Sequence, residues 1–347
     1  MKKLFAVTAA IALLCLGALA QAITIDTVPV GNPGNAGELS GSGAGGYGPD
    51  RVCGSVGYAY NIGKYEVTAG QYTDFLNKVA RTDTYGLYNT KMDTAVHEFG
   101  CNIKRSGSPG SYTYSVAADW ANRPVNFVSY WDSCRFANWL HNGQPTGLQD
   151  LTTTEDGTYL INDYNSSDGR TIQRKGGWQW AVTSEDEWYK AAYYKGGSTS
   201  AGYWDYPTSS DSMPSNVLGN PTDPGNNATY YNNGYTIGSP YYRTEVGAHE
   251  NSDSAYATFD QGGNVWEWNE AIVYQGTDYA CRGVRGGSFP DPSGYDLQAS
   301  DRHGYTIPTS EYQDLGFRVS EVVPEPSSFI ALAGGLISLL GIRRRRV

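Results

Sequence analysis

The sequence predicts a loop-rich extracellular fold in which short strands and a few capped helices carry long irregular segments. Three observations lead there. Glycine (43), tyrosine (28) and tryptophan (9) are abundant while charged residues make up only 17 %, a balance that suits aromatic-packed loops better than a cytoplasmic helical bundle. The chain opens with an export signal. Helix starts with a Ser or Thr cap occur at three places, and long Gly, Pro, Asn and Ser stretches separate them.

Residues 1–22 read as a secretory leader: basic Lys2 and Lys3, an apolar run from Leu4 to Leu19, and small residues at Ala20 and Ala22. At the other end, residues 323–347 hold Pro324-Glu325-Pro326, an apolar run from Ser327 to Ile342, and Arg343 to Arg346. The run is short beside the roughly 20 residues of a full span, but the arginines can snorkel and hold its end on the cytoplasmic side. A short transmembrane segment is therefore expected, leaving residues 23–322 as one domain. The net charge of -10 includes the six basic residues of the two ends, so the domain itself is still more acidic. Such a surface repels nucleic acid and excludes it as a partner.

Between the ends, Ile23 to Val30 alternates as a strand, and Pro29 restricts it to a sheet edge. Gly31 to Pro49 reads as a flexible linker. Its formal GxGxxG lacks the strand-to-helix setting of a nucleotide site. Val56 to Glu66 predicts a strand pair. Thr68 and Gln71 make a capping box for a helix over 69–80, with Tyr72, Phe75, Leu76 and Val79 on one face. Ser129 opens a second helix that stops at Gly143, and Ser184 opens a third that stops at Gly196. From Ser198 to Ser254 there is little periodicity, and a loop region of that length usually carries function or metal.

Four cysteines follow the leader: Cys53, Cys101, Cys134 and Cys281. An exported chain with an even number permits two disulfides in three connectivities. Cys53 with Cys101 is the preferred pair, and Cys134 also reads as a small buried hydrophobe.

The most concentrated chemistry lies in Asp260 to Trp268 (DQGGNVWEW). Two carboxylates seven residues apart around a glycine turn can bring side-chain and backbone oxygens onto one hard cation, and Ca²⁺ takes six to eight oxygens. Tryptophans beside glycines equally suit plain core packing.

Six ordered motifs resemble the formylglycine-generating enzyme, or sulfatase-modifying factor, family: Tyr60–Thr68 (YNIGKYEVT), Pro124–Ser129 with Phe136 to Leu140, Val182–Trp188 (VTSEDEW), Gly263–Trp268 (GNVWEW), Arg285–Phe289 (RGGSF) and Leu315–Arg318 (LGFR). The resemblance implies a single α+β domain of the formylglycine-generating-enzyme fold, C-type-lectin-like and poor in regular secondary structure. It further implies structural Ca²⁺ held by the side chains of Asp260 and Glu267 and the carbonyls of Gly263 and Val265. Asn216, followed by Val217, is the candidate for a second calcium site.

Oxidising members carry a cysteine pair after the Gly-Gly-Ser motif, which binds copper. Asp291 and Asp296 stand there in this chain, and neither supplies the soft thiolate that Cu(I) requires. Iron-dependent members use histidines of an additional domain, whereas His97, His141, His249 and His303 are scattered here. Neither copper nor iron is expected, and oxidation of cysteine by this chain is the less favoured alternative. In secreted members the segment corresponding to Phe289–Tyr312 forms a display face. Phe289, Tyr295, Arg302 and Tyr305 are the candidate ligand-binding residues for an extracellular glycan or protein. The C-terminal region resembles the PEP-CTERM sorting tail of exported Gram-negative proteins, which implies an exosortase-type processing enzyme as partner and a final place at the cell surface or in the extracellular matrix.

Overall fold

The computed structural model describes residues 22–218 and 225–323; the leader expected over 1–22 falls almost wholly outside them, as does the apolar run of the tail. The chain begins with β1 (Thr27–Val30), then the β2 (Glu38–Ser40) and β3 (Arg51–Cys53) hairpin, then β4 (Tyr60–Gly63). Helix α1 (Ala69–Val79) follows directly. Its capping box is formed as the sequence predicts: Gln71 N–H donates to Thr68 Oγ1 at 3.2 Å, and Thr68 N–H donates to Gln71 Oε1 at 2.9 Å. A second hairpin pairs β5 (Lys104–Ser106) with β6 (Thr113–Ser115), and the single turn α2 (Ala118–Ala121) leads to α3 (Tyr130–His141), capped reciprocally by Ser129 and Asp132. Strand β7 (Trp180–Val182) runs into α4 (Glu185–Tyr193), whose box is Ser184 with Glu187. The long irregular region then ends in β8 (Trp266–Gln275), β9 (Ala280–Arg285), β10 (His303–Thr306), β11 (Leu315–Gly316) and β12 (Val319–Val322).

The strands make two four-stranded sheets, ordered β1-β4-β12-β7 and β10-β9-β8-β11. The first is antiparallel throughout, and Pro29 lies on its edge strand as expected, where its missing N–H costs no ladder bond. In the second, β8 and β9 form an irregular antiparallel hairpin and β11 adds in parallel to β8. Between the sheets and the helices, Tyr72 and Phe75 of α1 meet Phe136 and Trp139 of α3, with Phe75 and Trp139 ring centroids 5.1 Å apart and Phe136 5.3 Å from Phe317. Burying a Phe ring such as Phe75 or Phe136 stabilises the fold by roughly 1.5–3 kcal/mol. This aromatic block fixes the helices and, through Phe317, the approach to β12.

Two expectations are corrected. All four cysteines are unpaired and buried: Cys101 and Cys134 belong to the main core, while Cys53 packs with Trp188 and Tyr189 in a separate cluster. The Gly31–Pro49 segment is a packed element and not a linker. Its backbone bonds to the far end of the chain through Gly41 N–H to Ser300 O (2.9 Å) and Arg302 N–H to Tyr47 O (3.0 Å). Glycine permits the approach: a Cβ on Gly46 would stand 2.1 Å from Ser300 O. Among the described residues, no helix is long and apolar enough to cross a membrane.

Candidate functional site

Residues 260–265 form a turn that leads into β8 and requires glycine at its centre. Asp260, Gly263 and Asn264 all adopt positive φ (58°, 86° and 60°). A Cβ at Gly263 would lie 2.2 Å from Thr229 O, so the position excludes every side chain. Gly263 N–H bonds to Gly286 O at 2.8 Å and Asn264 N–H to Thr229 O at 2.7 Å, which locks the turn against the Arg285–Ser288 segment.

The turn delivers two carboxylates to one buried place, and a third comes from elsewhere. Glu267 accepts from Arg318 at both oxygens (2.6 Å each) and from Trp188 Nε1 at 2.7 Å. Asp260 accepts from Gly247 N–H at 2.5 Å. The third is Glu66 of the opening motif, 2 % exposed, whose two oxygens have no hydrogen-bond partner. Burial, and next the Asp260 carboxylate, hold Glu66 well above the usual carboxylate range, while burial pushes Asp260 up to about 6. The Arg318 guanidinium acts on both of them. Among the described residues, no group of three or more His, Cys, Asp and Glu is arranged to hold a metal on side chains alone. A cation here would depend on backbone oxygens, and the Gly263 and Val265 carbonyls belong to this turn. Asn216 stands apart in a different loop, where its amide nitrogen donates to Tyr230 O and Gly234 O at 3.2 and 2.9 Å.

The display segment is divided by burial. Phe289 is 1 % exposed and sits among Phe99, Tyr235 and Tyr242 at 5.3–6.3 Å. Arg302 is also buried, with Nε and Nη2 each 2.9 Å from a Glu185 oxygen. Neither offers a surface to a ligand, because each fills a pocket of its own fold. Glu185 further receives Arg285 and Arg51, and these guanidiniums, Arg285 foremost, outweigh its burial and hold it at about 2. Tyr295, by contrast, is 64 % exposed. Tyr305 lies on β10.

Beside Tyr295 opens a cavity of about 370 Å³ lined by Tyr47, Tyr295, Asp296, Gln298, Asp301 and His303, together with Gly45 and Gly46. Tyr47 stacks on His303 at 5.8 Å, and His303 lies 5.1 Å from Trp266. Asp291 is not among the lining residues and accepts from Ser288 Oγ at 2.7 Å. Burial, and then Asp291, push Asp296 up to about 6; burial, and then Asp296, push Asp301 to about 7. Asp301 Oδ1 is buried without a partner. Sequence reasoning passed over Glu66, Tyr47 and Asp301. The regular spacing of Asp291, Asp296 and Asp301 pointed to the last, whereas Tyr47 was hidden in a stretch that reads as linker.

The chain matches the sulfatase-modifying factor enzyme 1-like domain over residues 50–322. It belongs to that family. A second match, over residues 322–346, is to the PEP-CTERM protein-sorting motif, so this sulfatase-modifying factor domain belongs to an exported protein with C-terminal processing of the exosortase type. No curated protein is significantly similar in sequence. Solved structures with related coordinates include CarF (TM-score 0.49, 18 % identity, 87 % of this chain and 99 % of that one) and Treponema denticola variable protein 1 (0.48, 19 %, 87 % and 99 %). PvdO from Pseudomonas aeruginosa is similar as well (0.45, 18 %, 86 % and 92 %). The α+β architecture, with few helices and many short strands, is that of formylglycine-generating-enzyme-like, C-type-lectin-like domains. In this family member, no cysteine follows Arg285 anywhere in the sequence.

Proposed function

We propose that the exported domain is a calcium-stabilised ligand-binding module whose ligand, an extracellular glycan or protein segment, enters the cleft beside Asp291 and Asp296. One observation carries this reading: where oxidising relatives place a thiolate pair, this chain has Asp291 and Asp296, and Asp296 lines an open cavity whose wall also carries the exposed Tyr295. Carboxylates cannot replace the soft ligands of Cu(I), whereas an exposed ring beside polar groups gives rigid contact area for recognition.

Calcium suits the buried turn. Glu66, Asp260 and Glu267 put three carboxylates around Arg318, and leaving the Glu66 oxygens unpaired as a charge would be costly. The Glu66 and Asp260 side chains with the Gly263 and Val265 carbonyls would hold the ion, and Glu267 would contribute while still paired with Arg318. The ion would supply charge neutralisation and rigidity, since hard oxygen donors suit Ca²⁺. Asn216 would serve a second, separate site.

A glycan array probed with the purified protein tests the binding reading, which expects reproducible signals. Copper-dependent oxygen consumption with a cysteine-containing peptide would establish the oxidase alternative instead. The tail would hold the protein in the membrane before processing; truncation after Val322 is then expected to release it from the envelope, and continued retention would count against that role.

A further inference from the structure

The cleft at Tyr295 has a charge that the surrounding arginines do not cancel. Arg51, Arg285 and Arg302 face Glu185, Asp186 and Asp301, three cations against three carboxylates. Asp296 of the cleft lining is left over, and Asp291 adds a further carboxylate next to it. Asp291 is held by neutral donors, the Ser288 hydroxyl and the Trp266 indole. His303 adds no positive charge near neutrality, since burial lowers its pKa. The cleft is therefore an anionic pocket.

Two further features belong to the lining itself. Asp301 is only 8 % exposed and lines the cavity, and its buried Oδ1 has no hydrogen-bond donor. Two tyrosine rings, Tyr47 and Tyr295, line the same cavity. Carboxylates combined with aromatic faces are the chemistry that holds an ammonium group, which gains from both the ion pair and the ring quadrupole. A sugar hydroxyl could satisfy one oxygen but would leave the surplus charge in place.

We propose that this cleft is selective for an ammonium group presented by an extracellular polymer, carried either by an amino sugar or by a lysine side chain. The ammonium sits between the Asp296 and Asp301 carboxylates, with Tyr47 and Tyr295 against its methylene or ring carbons. The inference rests on the cleft being the ligand site proposed above.

Calorimetric titration of the full chain with four probes tests it: glucosamine and Nα-acetyl-lysine, and their uncharged counterparts N-acetylglucosamine and Nα,Nε-diacetyl-lysine. At least one amine is expected to bind about 10-fold or more tightly than its acetylated counterpart. Whichever amine binds identifies the source. Asp296→Asn, which preserves size, is expected to weaken that amine about 10-fold and to leave the melting temperature within a few degrees. Equal affinity for charged and acetylated probes would overturn the ammonium inference. If the acetylated sugar then binds and Tyr295→Ala abolishes its binding, the cleft remains a ligand site for neutral glycans. If no probe binds and the glycan array is also blank, both readings fall.

Discussion

Arg318 holds Glu267 through two hydrogen bonds of 2.6 Å inside a site that water does not reach. Arg318 also donates to the carbonyls of Gly63 and Phe259 at 2.9 and 3.0 Å. One side chain thus ties β4 and the segment before the turn to β8. Replacing Arg318 by methionine strands Glu267 as a buried charge, and breaking such a pair costs about 3–5 kcal/mol. Denaturant unfolding should show a large fall in midpoint for Arg318→Met. Glu267→Gln, which keeps an acceptor oxygen, should cost less.

Glu66 gives calcium a test with opposite signs. Without a cation, an unpaired buried carboxylate is a liability, so Glu66→Gln should leave the metal-free protein as stable as wild type or more so. With calcium the wild type should melt higher by an amount that follows free calcium concentration, and Glu66→Gln should lose most of that increase. A melting temperature indifferent to chelator in both proteins would remove calcium from the turn.

Stability should respond to pH in two windows of opposite sign. Glu185 has a folded pKa of about 2 against an ordinary value of 4.5. Its contribution is present above pH 4.5 and is lost as pH falls toward 2. Asp301 works the other way: its folded pKa of about 7 lies above the ordinary 3.8. The stability it confers is complete below pH 3.8 and declines as pH rises to 7, at up to about 1.4 kcal/mol per pH unit. Asp301→Asn should flatten the decline between pH 4 and 7 in a series of unfolding curves, and should leave the acid limb below pH 4.5 in place.

Gly46→Ala probes the segment that carries Tyr47. The added methyl cannot fit 2.1 Å from Ser300 O, so the 41–49 loop must shift while the α1–α3 core is untouched. Ligand binding should weaken about 10-fold or more, with a loss of stability of about 1–3 kcal/mol. Unchanged binding would remove this loop from the cleft.

The elements with local causes were legible in the sequence. The capping box of α1, the starts of α3 at Ser129 and α4 at Ser184, and the aromatic face of α1 follow from residues a few positions apart, and they stand as expected. The turn at Asp260 was legible too, because glycine and carboxylate spacing are local properties. What escaped depends on contacts across the chain. Gly31–Pro49 has the composition of a linker, and the close approach of Gly46 and Gly48 to residues 300–302, some 250 positions away, leaves no local trace. Arg302 and Phe289 have the residue types of a recognition surface, but Glu185 and the Phe99 cluster bury them. Cys53 and Cys101 have no local feature that tells a thiol from half of a disulfide. Glu66 was visible only as part of a motif, since its isolation arises from neighbours on other segments.

Dependence on Tyr295 distinguishes a ligand site in the cleft beside Asp291 and Asp296 from an ordinary surface. It is tested most directly by titrating the strongest glycan-array ligand into wild type and Tyr295→Ala. Tyr295 is exposed, so its loss should leave the melting temperature unchanged while weakening binding about 10-fold or more, equivalent to about 1.4 kcal/mol. Equal affinity in the two proteins would contradict the account.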